Sequence, residues 1–248
     1  MIFIKTENEI HLMKQAGFIL KRLRKMLSLY LKPGVSTYYL DTLAKNFIKK
    51  QRAISAFKNY KGFSKHICTS VNEVVVHGIP SKKQILKSGD IITIDLGINY
   101  KGYFVDSAFT YTIGTVETPI IQLIDVTQKA LYEGLKQVKT HNYIIDISRA
   151  IEEFVKPYGY GIVKDFTGHG IGKKLHEEPY IPNCIVYEQK NIELKPGMTF
   201  CIEPMITLGS EEIEILFDNW TAVTVDRSFS AHFEHTVLVT EKDYEILT

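Results

Sequence analysis

The chain has only three cysteines, Cys68, Cys184 and Cys201, and no Cys-x-x-Cys pair. An odd, scattered set excludes a disulfide framework and a cysteine-based structural zinc site, and it fits a reducing compartment. No apolar run approaches the roughly 20 residues that span a bilayer. The opening Met1-Ile2-Phe3-Ile4-Lys5 turns polar too soon for a signal peptide. A cytoplasmic protein with no membrane partner is the expectation. An excess of one charge is also missing: 30 Lys and Arg against 28 Asp and Glu leave a net charge of +2, which names no specific nucleic-acid partner. The run Lys21-Arg22-Leu23-Arg24-Lys25 lies in a helical pattern and reads as a solvated face ahead of an RNA contact. No Gly/Ser/Pro-rich linker divides the 248 residues, so one domain is favoured over two.

What is present is an order that repeats. Thr6 with Glu9 has the form of a capping box. Ile10, Met13, Gly17, Leu20, Leu23, Leu27 and Leu31 then recur at helical spacing until Pro33-Gly34. A second helix starts near Ser36 or Thr37 and buries Leu40, Leu43, Ala44, Phe47 and Ile48. Strand-like segments run from about Ile67 to Gly114. Thr118-Pro119 opens a third helix, with Leu123, Ile124, Thr127, Leu131 and Leu135 inward. A fourth, near Asp146 to Tyr158, buries Ile147, Ala150, Ile151, Phe154 and Val155, and strands and loops follow from about Ile162. The expected class is α+β: one domain, 1–248, of two pseudo-symmetric helix–helix–strand halves, about 1–117 and 118–248. Helices cover the outer face of a curved antiparallel sheet and leave the other face free for a site.

Two aspartates interrupt apolar strands. Asp95 lies in Ile91–Ile98 and Asp106 in Tyr103–Phe109, either side of an Asn99-Tyr100-Lys101-Gly102 turn, the pattern of a β-hairpin. A register symmetric about that turn sets Asp95 opposite Asp106, with Cβ atoms about 4.5–5.5 Å apart. Such a pair repels by a few kcal/mol at an effective dielectric of about 20, and a metal ion would supply the missing positive charge. A one-residue slip would instead turn one aspartate to solvent.

Further polar residues occupy similar surroundings downstream. His169 lies in Thr167-Gly168-His169-Gly170-Ile171-Gly172, where glycines admit a ligand close to the backbone. His176 follows in Leu175-His176-Glu177-Glu178-Pro179, Glu203 interrupts Met198–Met205, and Glu234 lies in a strand-like Ala231–Val239. Singly, each has a structural alternative: a loop histidine, or a carboxylate facing water or paired with Arg227 or a lysine. Together Asp95, Asp106, Glu203 and Glu234 carry four negative charges, which two divalent cations cancel. With His169 they form an oxygen-rich, one-nitrogen set without thiolate, suited to Mn, Fe(II), Co(II) or Zn. Two ions about 3.5–4 Å apart, bridged by carboxylates and a water, form a recurring hydrolytic device.

At these residues the chain resembles type I methionine aminopeptidases of the pita-bread metallopeptidase fold. The matching segments are Ser70–Pro80, the Asp95/Asp106 hairpin, Thr167–Gly172, Leu175–Pro179, Ile202–Met205 and Phe233–Thr236, in family order across nearly the whole chain. The resemblance implies the internal pseudo-twofold and, without an N-terminal zinc-binding extension, the short bacterial form. It implies that Asp95 and Asp106 hold one metal, that His169 and Glu203 hold the second, and that Asp106 and Glu234 bridge. Glu203 is the candidate for relaying a proton to the leaving amine. His77 and His176 would flank the scissile bond, either able to donate a hydrogen bond to its carbonyl oxygen. The substrate's free α-amine would complete one ion's coordination, which explains a restriction to N-terminal residues.

Tyr60, Phe63, Cys68, Leu175 and Trp220 are the walls the resemblance implies for the first side chain. Aromatic and sulfur-bearing walls favour a thioether by about 0.3–1.5 kcal/mol per contact; the alternative is ordinary core packing, most of all for Leu175. Phe57, Lys61, Leu175, Gly97 and His232 depart from the family's commonest pattern and bear on pocket shape and metal tuning, not on reaction class. The resemblance extends to a monovalent cation near Asn72, Val74 and Ser230. The activity implied is removal of the initiator methionine from nascent polypeptides with a small second residue, by a monomer in transient contact with the ribosome. A proline-directed aminopeptidase or dipeptidase of the same fold shares these ligands, and a non-catalytic RNA- or ribosome-binding relative would be expected to lose them.

Overall fold

The computed structural model describes residues 2–186 and 191–248. Four α-helices stand among these residues: α1 (Glu7–Ser28), α2 (Thr37–Lys50), α3 (Thr118–Leu135) and α4 (Ile144–Val155). The Thr6/Glu9 capping box closes the start of α1, Ser36 caps α2 through a bond from Tyr39 N, and Pro119 occupies the first turn of α3. α1 stops at Ser28, earlier than the apolar spacing suggested. A helix carried on to Pro33 would lose an N–H and drive the pyrrolidine ring into the carbonyl of Leu29. Leu31, beyond the helix end, still packs on the core.

Each helix pair covers one group of strands. Leu20, Leu23, Leu27 and Leu40 pack with Ile92, Ile94 and Val105 in one core. Leu123, Leu131, Ile147 and Ile151 pack with Phe200, Ile202 and Val237 in another. The curved sheet is assembled from antiparallel ladders. Ile91–Tyr100 pairs with Tyr103–Thr112, Cys68–Val71 and Ile54–Ser55. In the later half Thr199–Ile202 lies between His235–Val239 and Gly168–Gly170. The two groups meet along a seam: Glu234 N donates to Ala108 O at 2.8 Å, Asp106 N to Thr236 Oγ1 at 2.9 Å, and His232 N to Thr110 Oγ1 at 2.9 Å.

The hairpin register differs from the symmetric one expected. Asp95 faces Ala108 and Asp106 faces Gly97, so the two acids are diagonal neighbours on one face. The turn is centred one residue later than expected. Tyr100 pairs with Tyr103, and Lys101 and Gly102 take positive φ of 51° and 91°, as a tight two-residue turn requires. A shift of two positions in pairing preserves the face, so both carboxylates still point into the concave side.

Two later segments are also interrupted where continuous strand was expected. The first breaks at Glu203-Pro204, between Thr199–Ile202 and Met205–Thr207, and the second at Phe233-Glu234, between Ser230–His232 and His235–Val239. The two strands stay partnered in one register across the break, Met205 opposite His232 and Ile202 opposite His235, but their outer neighbour changes: Met205–Thr207 also pairs with Gly161–Ile162, and Thr199–Ile202 with Gly168–Gly170. Pro204 has no N–H for a central ladder. Glu203 and Glu234 thus sit side by side at the point where the sheet divides.

Candidate metal centre and substrate cleft

A cavity of about 280 Å³ opens over the seam. It is lined by all five candidate ligands and both flanking histidines, and by Tyr60, Phe63, Cys68, Leu175 and Trp220. Phe57, Val76 and Phe166 complete its apolar wall, and Lys61 stands at its mouth.

Ligand atoms of Asp95, Asp106 and Glu234 lie within 4.8 Å of one another, as do those of His169, Cys201 and Glu234. Glu234 is common to both groups. Glu203 joins the second side through His169, whose Nε2 is 3.6 Å from Glu203 Oε1. His169 Nδ1 lies 3.0 Å from Gly170 O. A carbonyl only accepts, so Nδ1 carries the proton and the Nε2 lone pair is turned toward Glu203, the state a metal ligand needs. The glycines around His169 serve packing rather than ligand approach. A Cβ at Gly168 would lie 2.3 Å from Cys201 O, and one at Gly170 2.2 Å from Glu178 O.

The electrostatics demand a cation. Burial, the largest cause, pushes Asp95 from 3.8 up to about 7. Asp106 is driven well above its usual range by burial and by Glu234 and Asp95. Glu203 and Glu234 rise for the same reason, burial first and neighbouring carboxylates next. Among the described residues the basic groups within 4.0 Å of these carboxylates are His169 and His232, both kept neutral by burial, while Asp95 Oδ1 and Glu234 Oε1 are buried without a hydrogen-bond partner. An unsatisfied buried carboxylate oxygen costs more than the 1–3 kcal/mol of a neutral group. Four converging carboxylates, two orphaned oxygens and an unprotonated imidazole nitrogen fit divalent cations.

The substrate-side groups are neutral bases. Burial pushes His77 down to about 4 and His169 to about 4. His176 presents an edge to solvent at the cavity mouth but is packed by His169 and Tyr60. Burial first, then the charges of His169, Lys61 and His77, take it to about 3. His77 holds a positive φ of 61°, a strained state for a non-glycine residue that clusters at functional sites. Its ring stands edge-on to Phe166 at 5.2 Å and Trp220 at 5.8 Å, and Trp220 in turn contacts Phe63 at 5.1 Å.

Three residues at or beneath the cleft were missed as site residues. Cys201 joins the donor group, contrary to a set free of sulfur. Burial and the charges of Glu234, Asp106 and Glu203 push its thiol well up, so it stays protonated, with Sγ 3.4 Å from Thr236 Oγ1. His232 is buried with neither ring nitrogen hydrogen-bonded, its Nε2 3.6 Å from Glu203 Oε2. Phe166 supplies wall. Alternation by two positions from Glu203 and Glu234 points to Cys201 and His232; nothing local marks Phe166. Near the expected monovalent site, Ser230 N donates to Asn72 O at 2.9 Å and Val74 pairs with Val223.

A divided antiparallel sheet that gathers carboxylates and one imidazole beneath a substrate-sized cleft defines a metal-dependent hydrolase. Residues 11–241 match metallopeptidase family M24, and the chain belongs to that family. "Methionine aminopeptidase 1" of Bacillus subtilis is 46% identical over 248 residues, covering 100% of this chain and 99% of that relative. The crystal structure of methionine aminopeptidase from Thermotoga maritima superposes with a TM-score of 0.97 at 41% identity, covering 100% of this chain and 99% of that one. The Xaa-Pro dipeptidase of Bacillus anthracis, at 24% identity and a TM-score of 0.80 over 99% of this chain and 61% of its own, shares the fold alone. Among the described residues no helix is long and apolar enough to cross a membrane.

Proposed function

We infer that this chain is a metal-dependent aminopeptidase that removes the initiator methionine from nascent polypeptides whose second residue is small. The observation that carries this reading is the convergence, in one cavity, of a carboxylate-rich donor set and a wall of Tyr60, Phe63, Cys68, Leu175 and Trp220. End-to-end identity to a methionine aminopeptidase supports it.

Asp95, Asp106, His169, Glu203 and Glu234 would hold two divalent ions, drawn from Co, Mn, Fe(II) or Zn, with Glu234 common to both donor groups. Ions held there supply Lewis acidity to the peptide carbonyl and to the attacking water. The protein's own part is positioning and proton handling. The aromatic wall binds the first side chain and excludes water from the bond to be cut. His77 and His176, neutral at physiological pH, donate hydrogen bonds to the carbonyl oxygen as it gains charge. Glu203, the carboxylate beside His169 and His232, takes a proton from the attacking water and passes it to the departing amine.

The cavity draws its lining from both halves of the chain, which supports a single domain, 1–248, with its internal repeat meeting at the metal centre. Three unpaired, buried thiols fit the cytoplasm, where nascent chains leave the ribosome and contact with it would be transient. A monovalent cation near Asn72, Val74 and Ser230 would brace the strands beside His232.

The test is kcat/KM for short peptides with the metal held constant. Met-Ala-Ser is cleaved well. Leu-Ala-Ser, with a branch and no sulfur, loses about 1–3 kcal/mol of discrimination, and Met-Lys-Ser is poor because the second side chain must fit beside His77 and His176. Preference for X-Pro dipeptides over Met-Ala-Ser would replace this reading with a proline-directed one.

A further inference from the structure

Tyr60 does more than line the cleft. Its hydroxyl oxygen lies 2.7 Å from His176 Nδ1, and its ring stands 5.2 Å from the imidazole at an angle of 34°. The loop that presents it is tightly wound. Asn59 and Lys61 have positive φ of 69° and 45°, a conformation that costs a non-glycine residue about 1–2 kcal/mol. Backbone bonds hold the strain: Asn59 N to Phe63 O at 2.8 Å, Tyr60 N to Phe57 O at 2.9 Å and Phe63 N to Tyr60 O at 2.9 Å. Ser55 Oγ accepts from both Phe57 N and Lys58 N at the loop's start. A turn determined this many times delivers the phenol to one place.

On the other side of His176 stands His169, with ring centroids 4.1 Å apart. Gly170 O fixes the His169 proton on Nδ1 and leaves Nε2 as a lone pair. That is the state for a ligand and the wrong state for a donor to a carbonyl oxygen. Two neighbouring imidazoles therefore need opposite tautomers, and each needs a partner that sets its own.

We propose that Tyr60 is a positioning residue whose O–H donates to His176 Nδ1, fixing the His176 proton on Nε2, the reverse of the tautomer at His169. Among the described residues the Tyr60 hydroxyl has no other hydrogen-bond acceptor. Were His176 to donate from Nδ1 instead, the contact would pair the weaker donor with the weaker acceptor, because a phenol gives its proton more readily than a neutral imidazole and an imidazole nitrogen accepts better than a phenol oxygen. Nε2 would also present a lone pair to the substrate oxygen. The consequence for catalysis rests on the reading of His176 as the donor to the scissile carbonyl; the tautomer itself does not.

Long-range proton–nitrogen correlation spectra of zinc-loaded, histidine-labelled protein report which ring nitrogen carries the proton, with His176→Gln assigning the signals. The wild-type spectrum is expected to show His176 protonated on Nε2 and unprotonated on Nδ1. Tyr60→Phe, which keeps the ring and removes the hydroxyl, should show a mixture of tautomers. Its kcat for Met-Ala-Ser should fall about tenfold, with KM unchanged. A His176 proton on Nδ1 in the wild type, or an identical nitrogen pattern in Tyr60→Phe, would overturn the proposal. If the variant does not fold, the wild-type spectrum decides alone. Because that spectrum needs no turnover, failure of wild-type protein to cleave Met-Ala-Ser counts against the aminopeptidase reading and leaves the tautomer result standing.

Discussion

Phe57 packs against the backbone of Gly97, so that a Cβ at position 97 would lie 2.7 Å from Phe57 Cε1 and 2.8 Å from Ala56 Cβ. The structure makes the two residues one feature. A large ring at 57 requires no side chain at 97. Gly97 is the ladder partner of Asp106, so the contact also braces the strand opposite a candidate metal ligand.

Overpacking at this point should therefore be measurable. Gly97→Ala is expected to destabilise by about 1–3 kcal/mol, and the cost should shrink by about 1 kcal/mol in a Phe57→Leu background, the clash with Ala56 remaining. Urea unfolding of the two single variants and the double variant gives the coupling. Additivity within about 0.3–0.5 kcal/mol would show that the two positions are independent.

The pH dependence of the metal-free fold follows from its buried carboxyls. Asp95 moves from 3.8 to about 7, a raised acid that is tolerated in the fold while protonated. Its contribution is full below about pH 4 and is lost as pH rises through about 7. Asp106, Glu203 and Glu234 shift the same way. Histidines pull in the opposite sense. His77, His169, His176, His232 and His235 are all lowered by burial, so their contribution is lost as pH falls below about 6.5. The diagnostic window lies above that value. The Tm of chelated protein should fall between about pH 6.5 and 8, Asp95→Asn should flatten the fall, and added divalent metal should reverse it. A chelated Tm that climbs through this window would contradict the account.

Much of this was legible in the sequence, because its signals are local. The capping box at Thr6 and Glu9, Pro119 at the head of α3 and the apolar spacing of each helix need only neighbouring residues. The hairpin was visible but its register was not, since that hung on whether Lys101 and Gly102 alone, or four residues, made the turn. The breaks at Glu203-Pro204 and Phe233-Glu234 fall opposite each other in one register, where the outer neighbour of the strand pair changes, an event no window of sequence contains. Cys201 and His232 reach the centre through alternation on those same strands, whereas Phe166 arrives by tertiary approach. The acids stood out individually; which donors stand beside them had to come from the fold.

Ligands and helpers should separate experimentally. Glu234 belongs to both donor groups and Asp106 to one of them, beside Asp95. Asp106→Asn and Glu234→Gln each remove a charge from a cluster whose members raise one another's pKa, so both should lose metal together with activity. His77 differs in kind. It lines the apolar end of the cavity, edge-on to Phe166 and Trp220, and stands outside both donor groups. His77→Ala should keep its metal content and lower kcat about a hundredfold, the scale of losing one donor to a developing oxyanion. A role confined to substrate binding would raise KM and leave kcat unchanged. Metal analysis of the three variants, run beside kcat and KM for Met-Ala-Ser, distinguishes these cases. A metal equivalent missing from His77→Ala would move that histidine into the ligand set and undo the division between the carboxylate floor and the aromatic wall.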